Sequence, residues 1–415
     1  MNKTKNDIEI MSPVGSYETL MAAIQGGAQS VYFGVGKLNM RSASTLNFSI
    51  DDLETIVNIC NENKVKAYLT VNTVIYDHEM TEMKALVNKA KETGIHAIIA
   101  TDLAVLQYAQ SIGMEIHAST QLNISNIEAV KFFSAFCDVM VLARELSIEQ
   151  TAFICRQIDE QNICGPSGKK VRIELFVHGA LCMSISGKCY LSLHENNHSA
   201  NRGACLQNCR RTYTVTDKET GYQLDIENEY IMSPKDLCTI HLLDKILDAG
   251  VTVLKIEGRA RAPEYVKTVT RCYHEAVEAY FDKNYNQQRI AEWMEQLKQV
   301  YNRGFWSGYY LGEKLGEWSE NYGSSATKQK VYIGKITNYF KKIGVAEILI
   351  ETHSIETGQE LLIIGPTTGV LEYPVHEIRL DDKPAVKAVK GQKCSIPLKT
   401  TVRKNDKIYR WEDRH

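Results

Sequence analysis

The chain has 415 residues, 44% hydrophobic and 24% charged, with a formal net charge of −2, a balance ordinary for a globular protein and sufficient for one large domain plus a smaller one. The opening MNKTKNDIEIMSPVG lacks the ~7–15-residue apolar run of a secretory signal, and no later segment approaches the ~18 continuous apolar residues of a membrane span. Both classes are therefore excluded, and a cytoplasmic location with no membrane partner is expected.

Short β-type runs alternate with amphipathic helical ones. Strands are expected at 8–13, 30–35, 66–72, 97–101, 115–120, 139–144, 172–179 and 252–258. Between them lie helix patterns such as SYETLMAAIQGG and SIDDLETIVNICNENK, with Ser or Asp in capping positions. Eight βα repeats predict an α/β fold, a TIM-like (β/α)8 barrel over 1–325, whose active site is built from the loops that follow the strands. If the side chains facing the outer helices are apolar, Ile116, Ala118, Leu175, Val177, Leu254 and Ile256 point outward. Their neighbours Tyr68, Thr70, Asn72, His117, Ser119, Glu174, His178, Lys255 and Glu257 then point inward, and this polar set predicts a substrate chamber, with a bracing ion-pair network as the other reading.

The loop after the seventh strand is the longest, and 179–240 forms a cysteine-rich insertion. Of eleven cysteines, Cys182, Cys189, Cys205, Cys209 and Cys238 fall within it. In a reducing compartment such a cluster points to metal binding or catalysis, while the six scattered cysteines read as small buried hydrophobes. The long, irregular intervals favour an iron–sulfur cluster over the C-x-x-C knuckles of structural zinc, with zinc and unligated thiols as the remaining readings. HENNH, at 194–198, fits the zinc-peptidase pattern H-E-x-x-H. Its two Asn and the following SANRG make a poor helix, so two exposed loop histidines are the favoured reading.

After a long helical run comes an aromatic, Gly-rich connector at 301–325, expected to pack on the barrel. From 328 to 415 the texture becomes short strands and turns, predicting a small C-terminal β-barrel of about six strands. It carries 16 Lys and Arg against 11 Asp and Glu, net +5, leaving −7 for the rest. Such a charge split suits a polyanionic partner.

ELFVHGALCMSISGKCYLS (174–192), SPKDLC (233–238), KIEGRARAPEYV (255–266) and FGVGKLNMRSASTLNF resemble the sequence blocks of the peptidase U32 family, and the likeness spans nearly the whole chain. Members were named collagenase-like proteases, but the resemblance implies oxygen-independent hydroxylation. One branch forms 5-hydroxyuridine at the tRNA wobble position with prephenate as implied hydroxyl source, another hydroxylates ribosomal RNA, and a third works in ubiquinone synthesis. The chain is most similar to the tRNA branch, which implies tRNA and a small anionic metabolite as partners, and leaves room for a related U32 protein as a further one. It also implies a [4Fe–4S] cluster on Cys182, Cys189, Cys205 and Cys238, with Cys209 as alternative fourth ligand. His178, Lys255 and Glu257 are the expected proton-handling group. Arg41, Arg144 and Arg259, with Asn72 and His117, are the expected substrate contacts. Arg202, Arg210, Arg211 and Arg261 form an expected basic fringe for RNA phosphates. A U32-type peptidase and a non-catalytic RNA-binding protein are the alternative functions.

Overall fold

All eight expected runs form parallel strands: β1 (Glu9–Pro13), β2 (Ser30–Gly34), β3 (Lys66–Val71), β4 (Ala97–Ala100), β5 (Ile116–Ala118), β6 (Val139–Val141), β7 (Arg172–Gly179) and β8 (Val253–Ile256). This computed structural model describes residues 4–43, 48–211, 214–224, 232–312, 316–319 and 323–414. Residues 44–47 of the second-strand block and 313–315 and 320–322 of the connector lie outside the described residues. Strands pair in sequence order from β1 to β7, and β8 bonds to both β1 and β7, which closes the barrel.

Outward side chains such as Leu69, Ile98, Leu175 and Leu254 merge with the surrounding helices into one apolar core. The helices begin where a side-chain oxygen can accept an unpaired backbone N–H: Ser16 caps Tyr17–Gln25, Asp102 caps Leu103–Ser111 and Ser147 caps Ile148–Glu160. Inside the barrel, Met11, Tyr32, Tyr68, Ala97, Ile99, Val139 and Val253 pack together. The lower, N-terminal end is tied by Glu9, which binds Tyr68, Arg172 and Lys66.

The inward alternation fails at one place. Lys255 pairs with Phe176, but Ile256 pairs with His178, so Val177 is an extra residue on β7. This bulge reverses the facing of the residues after it. His178 therefore turns out of the barrel, among the rings of Tyr265, Tyr273 and Phe305 at centroid distances of 6.0, 5.7 and 5.6 Å.

The C-terminal residues form an antiparallel sheet of eight strands and a separate two-stranded ribbon, Ser354–Glu356 with Lys387–Val389. That is more than the six expected, because the run 371–380, expected as one strand, divides into Gly369–Pro374 and Ile378–Leu380, and Lys383–Ala385 is not among the expected strands. The sheet curls around its own core, which includes Ile333, Ile348, Ile363, Ile396 and Ile408. It does not hang free of the barrel. Leu362, Ile364 and Val370 join the barrel's core, each such burial contributing ~1.5–3 kcal/mol. Gln25 bonds the backbone of Thr368 and Val370, and Lys267 pairs with Glu372 at 2.9 Å. The connector packs as expected: Trp306 and Tyr310 are buried, and the Tyr310 hydroxyl donates to the Phe176 carbonyl at 2.7 Å.

Candidate active site

The upper ends of the strands open into a cavity of about 400 Å³. Its floor is the barrel mouth: Tyr32, Thr70, Asn72, Ser119, Phe176 and Lys255. Its roof is the cysteine-rich insertion, which leaves β7 at Gly179. There φ is +103°, and any side chain would run into the Glu257 carbonyl, so only glycine fits. The insertion then crosses the barrel and is fastened on the far side: Ala43 N–H donates to the Gly203 carbonyl and Val74 N–H to that of Asn201.

Cys182, Cys189, Cys205 and Cys209 all line this cavity. Burial pushes the Cys209 thiol up to about 11 against the pull of Arg210, and the other three cysteines add to the rise, so the four share one electrostatic environment. Cys238 is elsewhere. It lies on the short strand Asp236–Cys238, which pairs antiparallel with β7 and places Cys238 opposite His178. Its buried sulfur donates to Met294 Sδ at 3.8 Å, and burial pushes the thiol up to about 12. Of the two candidates for the fourth position, Cys209 therefore lines the cavity with the other three cysteines and Cys238 does not. Among the described residues, no three His, Cys, Asp or Glu side chains stand close enough to ligate a single ion. Four thiols around one opening are a donor set that fits a four-iron cluster.

Most of the expected proton-handling and substrate-binding residues line the chamber as well. Arg41 and Glu257 form an ion pair at 2.7 Å. Burial, the largest single influence, would raise the Glu257 carboxyl, but Arg41, Arg261 and Arg144 together outweigh it and hold the group at about 2. Lys255, almost fully buried, donates to Glu174 Oε1 at 2.6 Å. Arg259 is 7% exposed, bonds only the neutral oxygens Asn39 Oδ1 (3.1 Å) and Thr70 Oγ1 (2.9 Å), and burial lowers it to about 10. Arg144 donates to the Ala180 carbonyl at 3.2 Å, stacks 3.9 Å over the Phe176 ring, and leaves its buried Nε without a partner. Among the described residues neither Arg144 nor Arg259 has a carboxylate within salt-bridge distance. Asn72 completes the expected substrate contacts and bonds Ser119.

The remaining expected residues sit elsewhere or are already engaged. His117 lies beneath the floor, fully buried against Tyr68. His178 is outside the chamber, and burial with nearby Arg261 pushes its imidazole down to about 3, so it is neutral at physiological pH. The phosphate fringe reduces to Arg211, which is exposed. Arg202 is spent on Glu79 and the Tyr76 ring. Arg210 is a half-buried strut at the cavity wall that donates to the carbonyls of Leu181 and Pro234. Arg261 shares Asp236 with Arg303 and lies over the Tyr301 ring. Asn39, Asp236 and Arg303 are site residues that sequence reasoning missed, although Asn39 and Asp236 sit inside the family-like blocks, where only their neighbours drew notice.

HENNH does not make a zinc site. A six-residue helix, Leu191–Asn196, does form, but it ends at left-handed Asn197, so His198 lies beyond it and the pair cannot share a helical face. Both histidines are exposed.

Residues 15–320 match the sequence profile of peptidase family U32. A protein of Porphyromonas gingivalis named collagenase is 59% identical over 409 residues, 99% of each chain. A tRNA hydroxylation protein of Bacillus subtilis is 30% identical over 366 residues, 86% of this chain and 83% of that one. A 23S rRNA 5-hydroxycytidine synthase of Escherichia coli is 31% identical over 325 residues, 76% of this chain but 47% of that one. With a profile match over most of its length and relatives at this identity, the chain belongs to peptidase family U32.

Proposed function

We propose that the protein is an RNA hydroxylase that works without molecular oxygen, forming 5-hydroxyuridine at the tRNA wobble position, with a [4Fe–4S] cluster on Cys182, Cys189, Cys205 and Cys209. The observation that carries this reading is the pairing of two features in one cavity: four thiols above, and below them buried Arg259 and half-buried Arg144, neither with a carboxylate within salt-bridge distance among the described residues. A buried cation with no direct ion-pair partner is costly, and a bound anion offsets that cost. Arg144 and Arg259 therefore suit a small carboxylate donor, and the resemblance to the tRNA branch makes prephenate the candidate. The cluster, when bound, supplies one-electron chemistry next to that donor.

The chain's own residues do the rest. Glu257, held ionised by Arg41, is a fixed acceptor at the chamber wall, and Lys255 is a proton donor on its floor. An RNA base must leave its stack to enter such a cavity. Arg211 and the net +5 C-terminal sheet suit the flanking phosphates. The names of the Bacillus and Escherichia relatives support RNA hydroxylation. The name of the Porphyromonas relative favours a peptidase, yet no nucleophile–base pair or closed metal–water site lines the chamber among the described residues.

The test is mass spectrometry of tRNA and rRNA nucleosides from a deletion strain, beside incubation of purified protein with gelatin. Loss of 5-hydroxyuridine, restored by the wild-type gene but not by Arg259→Met, supports the proposal. An unchanged nucleoside profile together with gelatin cleavage overturns it.

A further inference from the structure

Beneath Lys255 on the chamber floor, the barrel axis holds ionisable groups, Glu174, His117 and Glu115, that the reaction above leaves unused. Lys255 donates to Glu174 Oε1 at 2.6 Å. The other oxygen of this fully buried carboxylate, Oε2, stands 3.9 Å from His117 Nδ1, and neither atom has a hydrogen-bond partner. On the far side of the imidazole, Nε2 is 3.4 Å from Glu115 Oε1. Glu115 precedes β5 at the opposite end of the barrel, where its side chain is 49% exposed. The four groups thus run in line from the chamber to solvent.

A barrel interior filled only for stability uses Val, Ile and Leu, as Ile99, Val139 and Val253 do here. Two buried polar atoms left facing each other cost ~1–3 kcal/mol apiece, so a bracing role alone accounts poorly for them. A gap of this length is also what proton-transfer partners show before a substrate tightens the site. We propose that Lys255, Glu174, His117 and Glu115 form a proton path along the barrel axis, joining the chamber to solvent at the opposite face.

The path deepens the hydroxylase reading and rests on it for its purpose. Exchange of a ring hydrogen for hydroxyl by a donor at the OH⁺ oxidation level releases one proton into a chamber that the bound RNA covers. In the outward direction Lys255 passes a proton to Glu174 Oε1. Rotation of the Glu174 carboxyl carries that proton to the side facing His117 and delivers it to Nδ1, and His117 releases its Nε2 proton to Glu115 and water. Lys255, now a neutral amine, takes up the proton released in the chamber. Every group regains its charge, and His117, left with its proton on Nδ1, returns to the Nε2–H tautomer by proton exchange with water when the ring rotates. Burial, with Arg259 and Arg144 nearby, lowers the Lys255 ammonium despite Glu174, which eases its release of a proton. The hydrogen bond from His117 holds Glu115 below the usual carboxylate range. The other groups around the imidazole are Tyr68, whose hydroxyl is spent on Glu9 at 2.6 Å, and Lys66 and His96 beside Glu115.

Glu115→Gln removes the exit carboxylate at a half-exposed position. In the holoenzyme, kcat for nucleoside hydroxylation should fall about tenfold with KM unchanged and a larger solvent deuterium isotope effect, and Glu115→Asp should recover most of it. A Glu115→Gln enzyme with wild-type kcat and isotope effect overturns the path. A second readout does not need the reaction: the ring-nitrogen resonances of His117, in protein with labelled histidine, should shift on Glu115→Gln and on Lys255→Met. Resonances that ignore Lys255→Met overturn the path. Coupled shifts in a wild-type protein that makes no hydroxylated nucleoside uphold the path and overturn the hydroxylase reading instead.

Discussion

Replacing Arg41 with Met tests the electrostatics of the chamber wall. Glu257 is held at about 2, against an ordinary 4.5, although burial pushes the other way. That difference corresponds to about 3 kcal/mol in favour of the charged form, and Arg41 is the largest favourable influence. Without its guanidinium, a carboxylate only 13% exposed keeps the weaker pull of Arg261 and Arg144. Breaking a buried pair from one side costs ~3–5 kcal/mol, and these two residual cations place the expected loss near the lower end. Urea unfolding near pH 7, followed by Trp fluorescence, should show Arg41→Met destabilised by about 3 kcal/mol. The Arg41→Met/Glu257→Gln double variant should regain most of that, because the stranded charge is gone. The sign with pH is fixed: a depressed carboxyl adds stability that is fully present above its unfolded pKa of ~4.3 and is lost as pH falls toward 2. The gap between wild type and Arg41→Met should therefore narrow on acidification. Strictly additive losses in the two single variants, or a gap that widens in acid, would refute the pairing.

Glu9 is likewise held at about 2, burial being outweighed by Arg172 and Lys66, so the wild-type urea midpoint should fall as pH drops from about 4.5 toward 2, and a flat acid limb contradicts this. Arg210→Ala should strip the cysteine loop of its strut and lower thermal stability and iron content together. Arg211→Ala should leave both intact and weaken tRNA binding, most clearly in a shallower dependence of affinity on salt. His178→Phe should keep hydroxylation, since the ring sits in an aromatic pocket outside the chamber; loss of activity in a folded, iron-loaded His178→Phe protein would return His178 to the mechanism.

The barrel was legible because strands covered on both faces must be apolar runs, and because their inward neighbours broke that rule with Thr70, Asn72, Lys255 and Glu257. The same alternation misplaced His178, since one extra residue at Val177 reverses the facing and leaves no mark in the sequence. Cys238 and Cys209 could not be ranked by spacing. Only the fold shows that 236–238 returns as a strand beside β7 and carries its cysteine into the core. The arginines were visible as cations near strand ends, but their partners were not: Arg202, Arg210 and Arg261 are bound within the protein, and among the described residues Arg144 and Arg259 have no carboxylate within salt-bridge distance. In the C-terminal sheet, three-residue strands such as Lys383–Ala385 are too short for alternation to register.

The most direct test of the proposed cluster chamber is iron and acid-labile sulfide measured on anaerobically purified protein, for wild type, Cys209→Ala and Cys238→Ala side by side. Wild type should hold about four irons per chain, Cys209→Ala should lose the cluster, and Cys238→Ala should retain it at a modest cost in stability. Stoichiometric zinc without iron in the wild type, or a cluster that survives Cys209→Ala and is lost in Cys238→Ala, would contradict the account.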